Sequence, residues 1–297
     1  MRSQPTIFDS RAERELFQAI AGTWEPTYRL YPHIPFANVV ELDPRHLDAT
    51  EMSFLNKTSV DYVVTDSAYA PLLGIEFDGL GHGRSAHGRY FPTRAVKKDP
   101  RREWKLALKC RVAEAASVPF VVVSYDEAAP IDDTGLTIAH GIVGAFIAGR
   151  QLDQRLHTPI AFDGDPTPQE IERTLVDIEF LAAWDNNPIV RRAGELSFQL
   201  YERHPGARVT VAPRHEPERP PAADPWGGAL DASALLDWWK TIRRFGVDVT
   251  ISAGNRQVQA TTWIRNYEAT GLSPHGWLLR LGELVALQKF FAGVSAT

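Results

Sequence analysis

Two short apolar runs, residues 60–65 (Val-Asp-Tyr-Val-Val-Thr) and 72–78 (Leu-Leu-Gly-Ile-Glu-Phe-Asp), carry carboxylates where an apolar strand rarely keeps them. Apolar residues dominate both runs and turn residues bound them, so each reads as a strand. A carboxylate inside such a strand is costly unless it is paired or metal-bound. Glu76 and Asp78 are two apart, which points both to the same side of the second strand. Asp61 sits near the start of the first. A fold built around these runs must bring three acidic groups to a place where positive charge meets them. The competing arrangement has Asp61 beginning its strand, Asp78 ending the other, and Glu76 facing solvent.

The flanking segments narrow the architecture. Ser10 with Glu13 three residues on is the pattern of a capping box, ahead of Leu16, Phe17 and Ile20, and predicts a helix over 10–20. Residues 28–34 alternate and end at prolines, predicting a strand, and 37–58 read as loop with a short helical piece. Residues 81–95 are a glycine-containing loop. Asp99 and Pro100 are then N-cap and first-turn signals for a helix over 101–116. The run 119–124 predicts a buried strand, and 136–156 a further helix. Helix, strand, strand, strand, helix, strand, helix is the order of an α/β fold with a mixed central sheet flanked by helices.

Beyond that core, helices are expected over 167–184 and 188–201, and a strand over 207–212. Five prolines between 213 and 225 predict an extended linker. Helices over 232–245, 261–270 and 274–291, with a strand over 247–251, complete the chain. The expected organisation is a core over 1–150, a helical extension over 151–212, a linker over 213–227 and a mainly helical module over 228–297. The chain after the last of these prolines holds Trp226, Trp238, Trp239, Trp263 and Trp277, five of the eight tryptophans.

Charge is distributed unevenly. The net charge is −5, yet ten basic residues fall between 84 and 111, opposed only by Asp99 and Glu103. They include Arg84, Arg94, Lys97, Lys98, Arg101, Arg102, Lys105 and Lys109. A basic patch on an acidic body points to a polyanion bound at one place, although many charge runs are simply solvated helix faces. The single cysteine, Cys110, excludes an internal disulfide, thiolate zinc sites and four-cysteine iron–sulfur clusters within one chain. The first residues lack the apolar core of a signal peptide, and no apolar run is long enough to span a bilayer. A cytoplasmic protein with no membrane segment is the expectation.

Asp61 in Val-Asp-Tyr, the stretch Ile75-Glu-Phe-Asp-Gly-Leu-Gly-His82, a basic helix, and Ser117-Val-Pro-Phe-Val-Val-Val together resemble the PD-(D/E)XK nuclease superfamily. Within it they are most similar to the branch around the very-short-patch-repair endonucleases, with its Glu-x-Asp-Gly-x-x-His motif. The resemblance covers residues 10 to about 127 and leaves the rest unexplained. It implies a restriction-endonuclease-like core and metal-dependent cleavage of DNA, in defence against foreign DNA or in repair. Asp61 and Glu76 would hold Mg²⁺, or Mn²⁺, helped by the Phe77 carbonyl. Glu13 would be an outer ligand through water, and His82 a ligand, base or leaving-group stabiliser. The family's lysine two residues after Glu76 is Asp78 here. Some members carry that lysine on the following helix, where Lys105 and Lys109 share a face and Arg102 matches the motif's basic position. The choice among the three stays open at this stage. Arg84, Arg94, Lys97, Lys98, Arg101 and Arg102 are the candidate nucleic-acid contacts.

A magnesium-dependent deoxyribonuclease is therefore the leading expectation. The alternative is a catalytically inactive nuclease-fold protein that binds DNA or assembles with a partner chain, motivated by Asp78 at the lysine position. The C-terminal part is the candidate surface for a protein partner or a second copy.

Overall fold

The computed structural model describes residues 8, 10–78, 101–158, 165–216, 242, 244–265 and 275–293. The chain divides into two compact units, one holding the elements up to Pro130 and the other everything from His140 in the following helix, apart from short exchanges near each border.

In the first unit the order is α1 (Arg11–Ile20), β1 (Arg29–Pro35), α2 (Phe36–Val39), α3 (Ala49–Leu55), β2 (Ser59–Thr65), β3 (Pro71–Asp78), α4 (Arg102–Ala115), β4 (Phe120–Ser124) and α5 (Tyr125–Ala128). The strands form one sheet in the order β1-β2-β3-β4. The first two pairings are antiparallel and β3–β4 is parallel. A mixed four-stranded sheet with helices packed on it is the expected class.

Local chemistry explains the element ends. Asp66 Oδ1 accepts from the Ala68 and Ala70 amides and closes the turn between β2 and β3. The α3 helix starts with a full capping box from Asp48 and Glu51. The α1 helix forms only half of its expected box. The Ser10 hydroxyl accepts from Glu13 N, but the Glu13 carboxylate turns to His33. The α4 helix ends in paired bonds from Ser117 N to Glu114 O and Val118 N to Ala113 O, with Ser117 at φ 57°. This is the left-handed stop usually given to glycine. The expected start of α4 at Asp99 and Pro100 lies outside the described residues, and Arg101 occupies the N-cap position without a side-chain cap bond.

The core of this unit joins Leu108, Val112 and Ala113 of α4 to Val60, Val63 and Phe120 of the sheet, with Phe36, Val39 and Leu55 from α2 and α3. Leu106 packs separately on Val122. Gly74 is needed where β3 passes Phe120, because an added Cβ would lie 2.5 Å from that ring. The α1 helix meets the sheet at Tyr62, whose ring stacks on Phe17 and whose hydroxyl donates to the Glu13 carbonyl at 2.7 Å.

The second unit contains the rest of α6 (Ile138–Leu156), then α7 (Pro168–Asn186), α8 (Pro188–Arg203), β5 (Arg208–Glu216), β6 (Arg244–Ala253), β7 (Arg256–Arg265) and α9 (His275–Ala292). The three strands form an antiparallel sheet in the order β5-β6-β7. Several expectations are corrected here. The border between units falls near 130, and position 150 lies inside α6. Pro213 to Glu216 continue β5 in register with β6, so the extended linker does not begin at 213. Arg244 and Phe245 open β6 and do not end a helix, and residues 261–265 form the end of β7, where a helix was expected. Alternation explains the last error. In Gln257-Val-Gln-Ala-Thr-Thr-Trp-Ile264 the buried positions Ala260 and Ile264 belong to a strand, yet they are also spaced as on a helix face. Among the described residues, no helix is long and apolar enough to cross a membrane.

Candidate metal and phosphate site

Helix α1, strands β1, β2 and β3, and helix α4 of the first unit supply one polar cluster. The ladder between β2 and β3 runs to the pair Tyr62↔Ile75. One residue further, Asp61 Oδ2 accepts from the Phe77 amide at 2.7 Å, so a carboxylate stands in for a ladder carbonyl. On the other side, β1 pairs with β2 at Pro32↔Tyr62 and Ile34↔Val60, leaving His33 between those pairs and opposite Asp61. His33 has φ 53°, a left-handed conformation uncommon outside glycine, within a strand that keeps the same register with β2 on either side of it.

Glu13 from α1, His33 from β1 and Asp61 from β2 each present one ligand atom, and these three atoms lie within 4.8 Å of one another. His33 Nε2 is 2.9 Å from Glu13 Oε1. It is buried and not aligned for a hydrogen bond, so the two groups face a common point more than they face each other. Glu13 is 4% exposed.

Glu76 adjoins this cluster on β3. Its Oε1 accepts from Lys109 Nζ at 2.5 Å, and the same ammonium donates to the Ser59 carbonyl at 2.7 Å. Its Oε2 is buried and accepts no hydrogen bond from the protein among the described residues. Burial, and then the negative charge of Asp61, push the Glu76 carboxyl up to about 7, against the pull of Lys109 and Arg102. Two carboxylates this close, one with a buried lone oxygen, describe a place short of positive charge. The donor set of carboxylates and one imidazole fits a divalent cation. Burial, with Glu13, Asp61 and Glu76 around it, holds the Tyr62 hydroxyl far above the ordinary phenol range, so it remains a donor.

The structure distributes the expected residues unequally. Asp61, Glu76 and Lys109 are brought together, and Glu13 joins them at Asp61. Between the two helical lysines, Lys109 is the one on Glu76, and it is only 4% exposed, whereas Lys105 lies one turn earlier and is half-buried. Asp78 is wholly buried and accepts from Arg102 Nε at 2.6 Å. That pair fixes the start of α4 to the end of β3, so Arg102 is tied to a carboxylate and does not stand clear as a phosphate contact. Arg101 is exposed. The Phe77 amide takes part through Asp61, while its backbone continues the parallel pairing with Val123. His82, Arg84, Arg94, Lys97 and Lys98 lie outside the described residues.

Sequence reasoning missed His33. The available signal was Tyr31-Pro-His-Ile-Pro35, a histidine held between two prolines inside a strand. Proline removes ladder donors on either side of the histidine.

Over residues 6–137 the chain is similar to the family described as a protein of unknown function, DUF2726. No curated protein and no solved structure matches it. The family match covers α1 to α5, the elements that build the polar cluster.

Proposed function

We propose that the chain is a metal-dependent deoxyribonuclease with a restriction-endonuclease-like core. The observation that carries this reading is Lys109. It arrives from the helix after β3 and bonds to Glu76, where the related nucleases carry a lysine on the strand itself. The order helix, three strands, helix, strand supports the same reading, as does the neighbouring Asp61.

Hydrolysis joins the oxygen of water to phosphorus and breaks the bond from phosphorus to a sugar oxygen. The water gives up a proton, and the leaving oxygen takes one. Asp61 and Glu76 would hold a divalent ion such as Mg²⁺, which supplies charge neutralisation at phosphorus and a lowered pKa for bound water. Lys109 has three N–H donors, two of them engaged by Glu76 and the Ser59 carbonyl. The third would orient the attacking water. The exposed Arg101 at the start of α4, with the basic residues before it, would track the phosphate backbone.

Cleavage of supercoiled plasmid and of a single-stranded oligonucleotide tests the proposal, with Mg²⁺, Mn²⁺ or EDTA and with wild type against Glu76→Ala. Cutting that needs the ion and falls by about a hundredfold or more in the variant is the expected result. The second reading, a nuclease-fold DNA-binding protein without activity, rests on Asp78 in place of the strand lysine. Wild type that binds DNA but cuts under none of these conditions selects it.

A further inference from the structure

We propose that Glu13, His33 and Asp61 form a cation position of their own, adjoining the Asp61–Glu76 position through the shared aspartate, and that it takes Mn²⁺ in preference to Mg²⁺. The inference deepens the nuclease reading by naming a second ligand set and its metal, but the binding it describes is independent of cleavage.

The argument starts from ligand type. A site of carboxylates alone suits Mg²⁺, Ca²⁺ and Mn²⁺ alike, whereas imidazole suits transition ions. One imidazole with two carboxylates lies in the overlap of those preferences, and Mn²⁺ satisfies both. Geometry points the same way. The three ligand atoms come from three different elements, α1, β1 and β2, and still lie within 4.8 Å of one another. His33 Nε2 is buried beside Glu13 Oε1 without hydrogen-bond alignment. A histidine placed only to pair with that glutamate would turn a ring N–H onto the carboxylate. Here one imidazole nitrogen and two carboxylate oxygens gather within 4.8 Å of one another, a spacing that one cation can span. The Asp61 oxygen that accepts from Phe77 N holds the carboxylate in place, a role that outer partners commonly have at metal sites.

The test is Mn²⁺ binding to the full chain without nucleic acid, followed by loss of the free-ion electron paramagnetic resonance signal. Competition with Mg²⁺ and thermal unfolding with and without Mn²⁺ run in parallel. Wild type is expected to bind Mn²⁺ at least about tenfold more tightly than Mg²⁺, and His33→Ala to weaken Mn²⁺ binding by about tenfold or more. Glu13→Gln guards against a folding failure, because it keeps the shape and the backbone bond to Ser10 while removing the charge. It is expected to weaken Mn²⁺ and to lose the Mn²⁺-dependent rise in unfolding temperature. Equal Mn²⁺ affinity in wild type and both variants overturns the proposal, as does equal affinity for the two ions or no binding by wild type. Mn²⁺ binding that depends on His33 in a protein that cuts no DNA would leave this site standing while removing the nuclease function. Metal-dependent cutting unaffected by His33→Ala and Glu13→Gln would do the reverse.

Discussion

At the scale of single residues, Glu76 sets the electrostatics of the site. Its carboxyl is raised from the ordinary 4.5 to about 7, mainly by burial. A folded-state value above the unfolded one means that the native protein holds the proton more tightly. The stabilisation linked to that proton is complete below about 4.5 and is lost as pH rises through about 7. In EDTA, wild type should therefore lose stability relative to Glu76→Gln over this window, read as diverging urea midpoints between about pH 5 and about pH 8. A divalent ion should shrink the divergence, because it favours the ionised carboxylate. How much of the site was legible beforehand follows from its chemistry. Asp61 and Glu76 stood out because a carboxylate in an apolar strand is anomalous. Glu13 was visible as a helix-start residue and, through the resemblance, as an outer ligand, and His33 was hidden, because its placement beside Glu13 and Asp61 depends on a left-handed backbone that pattern alone does not announce. Asp78 stood out for the same reason as Glu76, and in the structure it pairs with Arg102 of α4.

At the scale of elements, α4 does most to assemble the site. Arg102 near its start reaches Asp78 at the end of β3, and Lys109 two turns later reaches Glu76, earlier on the same strand. The helix thus runs against β3 with two ionic links at fixed separation. Its far end is less favourable. Ser117 adopts the left-handed conformation that costs an L-residue about 1–2 kcal/mol. Ser117→Gly should raise the unfolding free energy by up to about 1 kcal/mol in urea titration, with no change in metal binding. The first-unit elements were legible because each had a strong local signal: alternation, caps, or a β-branched run. The strand β7 was not, since its buried residues satisfy helical and strand spacing equally and only the pairing with β6 decides between them.

At the scale of the whole molecule, a basic stretch sits on an acidic chain, so binding of a polyanion should be steeply salt-dependent. Arg101→Ala should weaken DNA binding with little regard to sequence and lower the slope of log affinity against log salt by about 1, measured by fluorescence anisotropy in EDTA. The organisation of the second unit could not be read in advance, because its proline-rich stretch looked like a boundary between modules. The pairing of β5 with β6 shows the opposite. Glu216 and Arg244 are partners in the ladder, so the two ends of the intervening sequence are held at adjacent points of the sheet. By closure entropy alone, doubling the length of the intervening segment should cost only about 0.6 kcal/mol, measurable by denaturation of an insertion variant. The stretch that read as an extended linker begins and ends on neighbouring strands of one sheet. New sequence can be grafted there, or old sequence exchanged, while the β5–β6 seam stays shut.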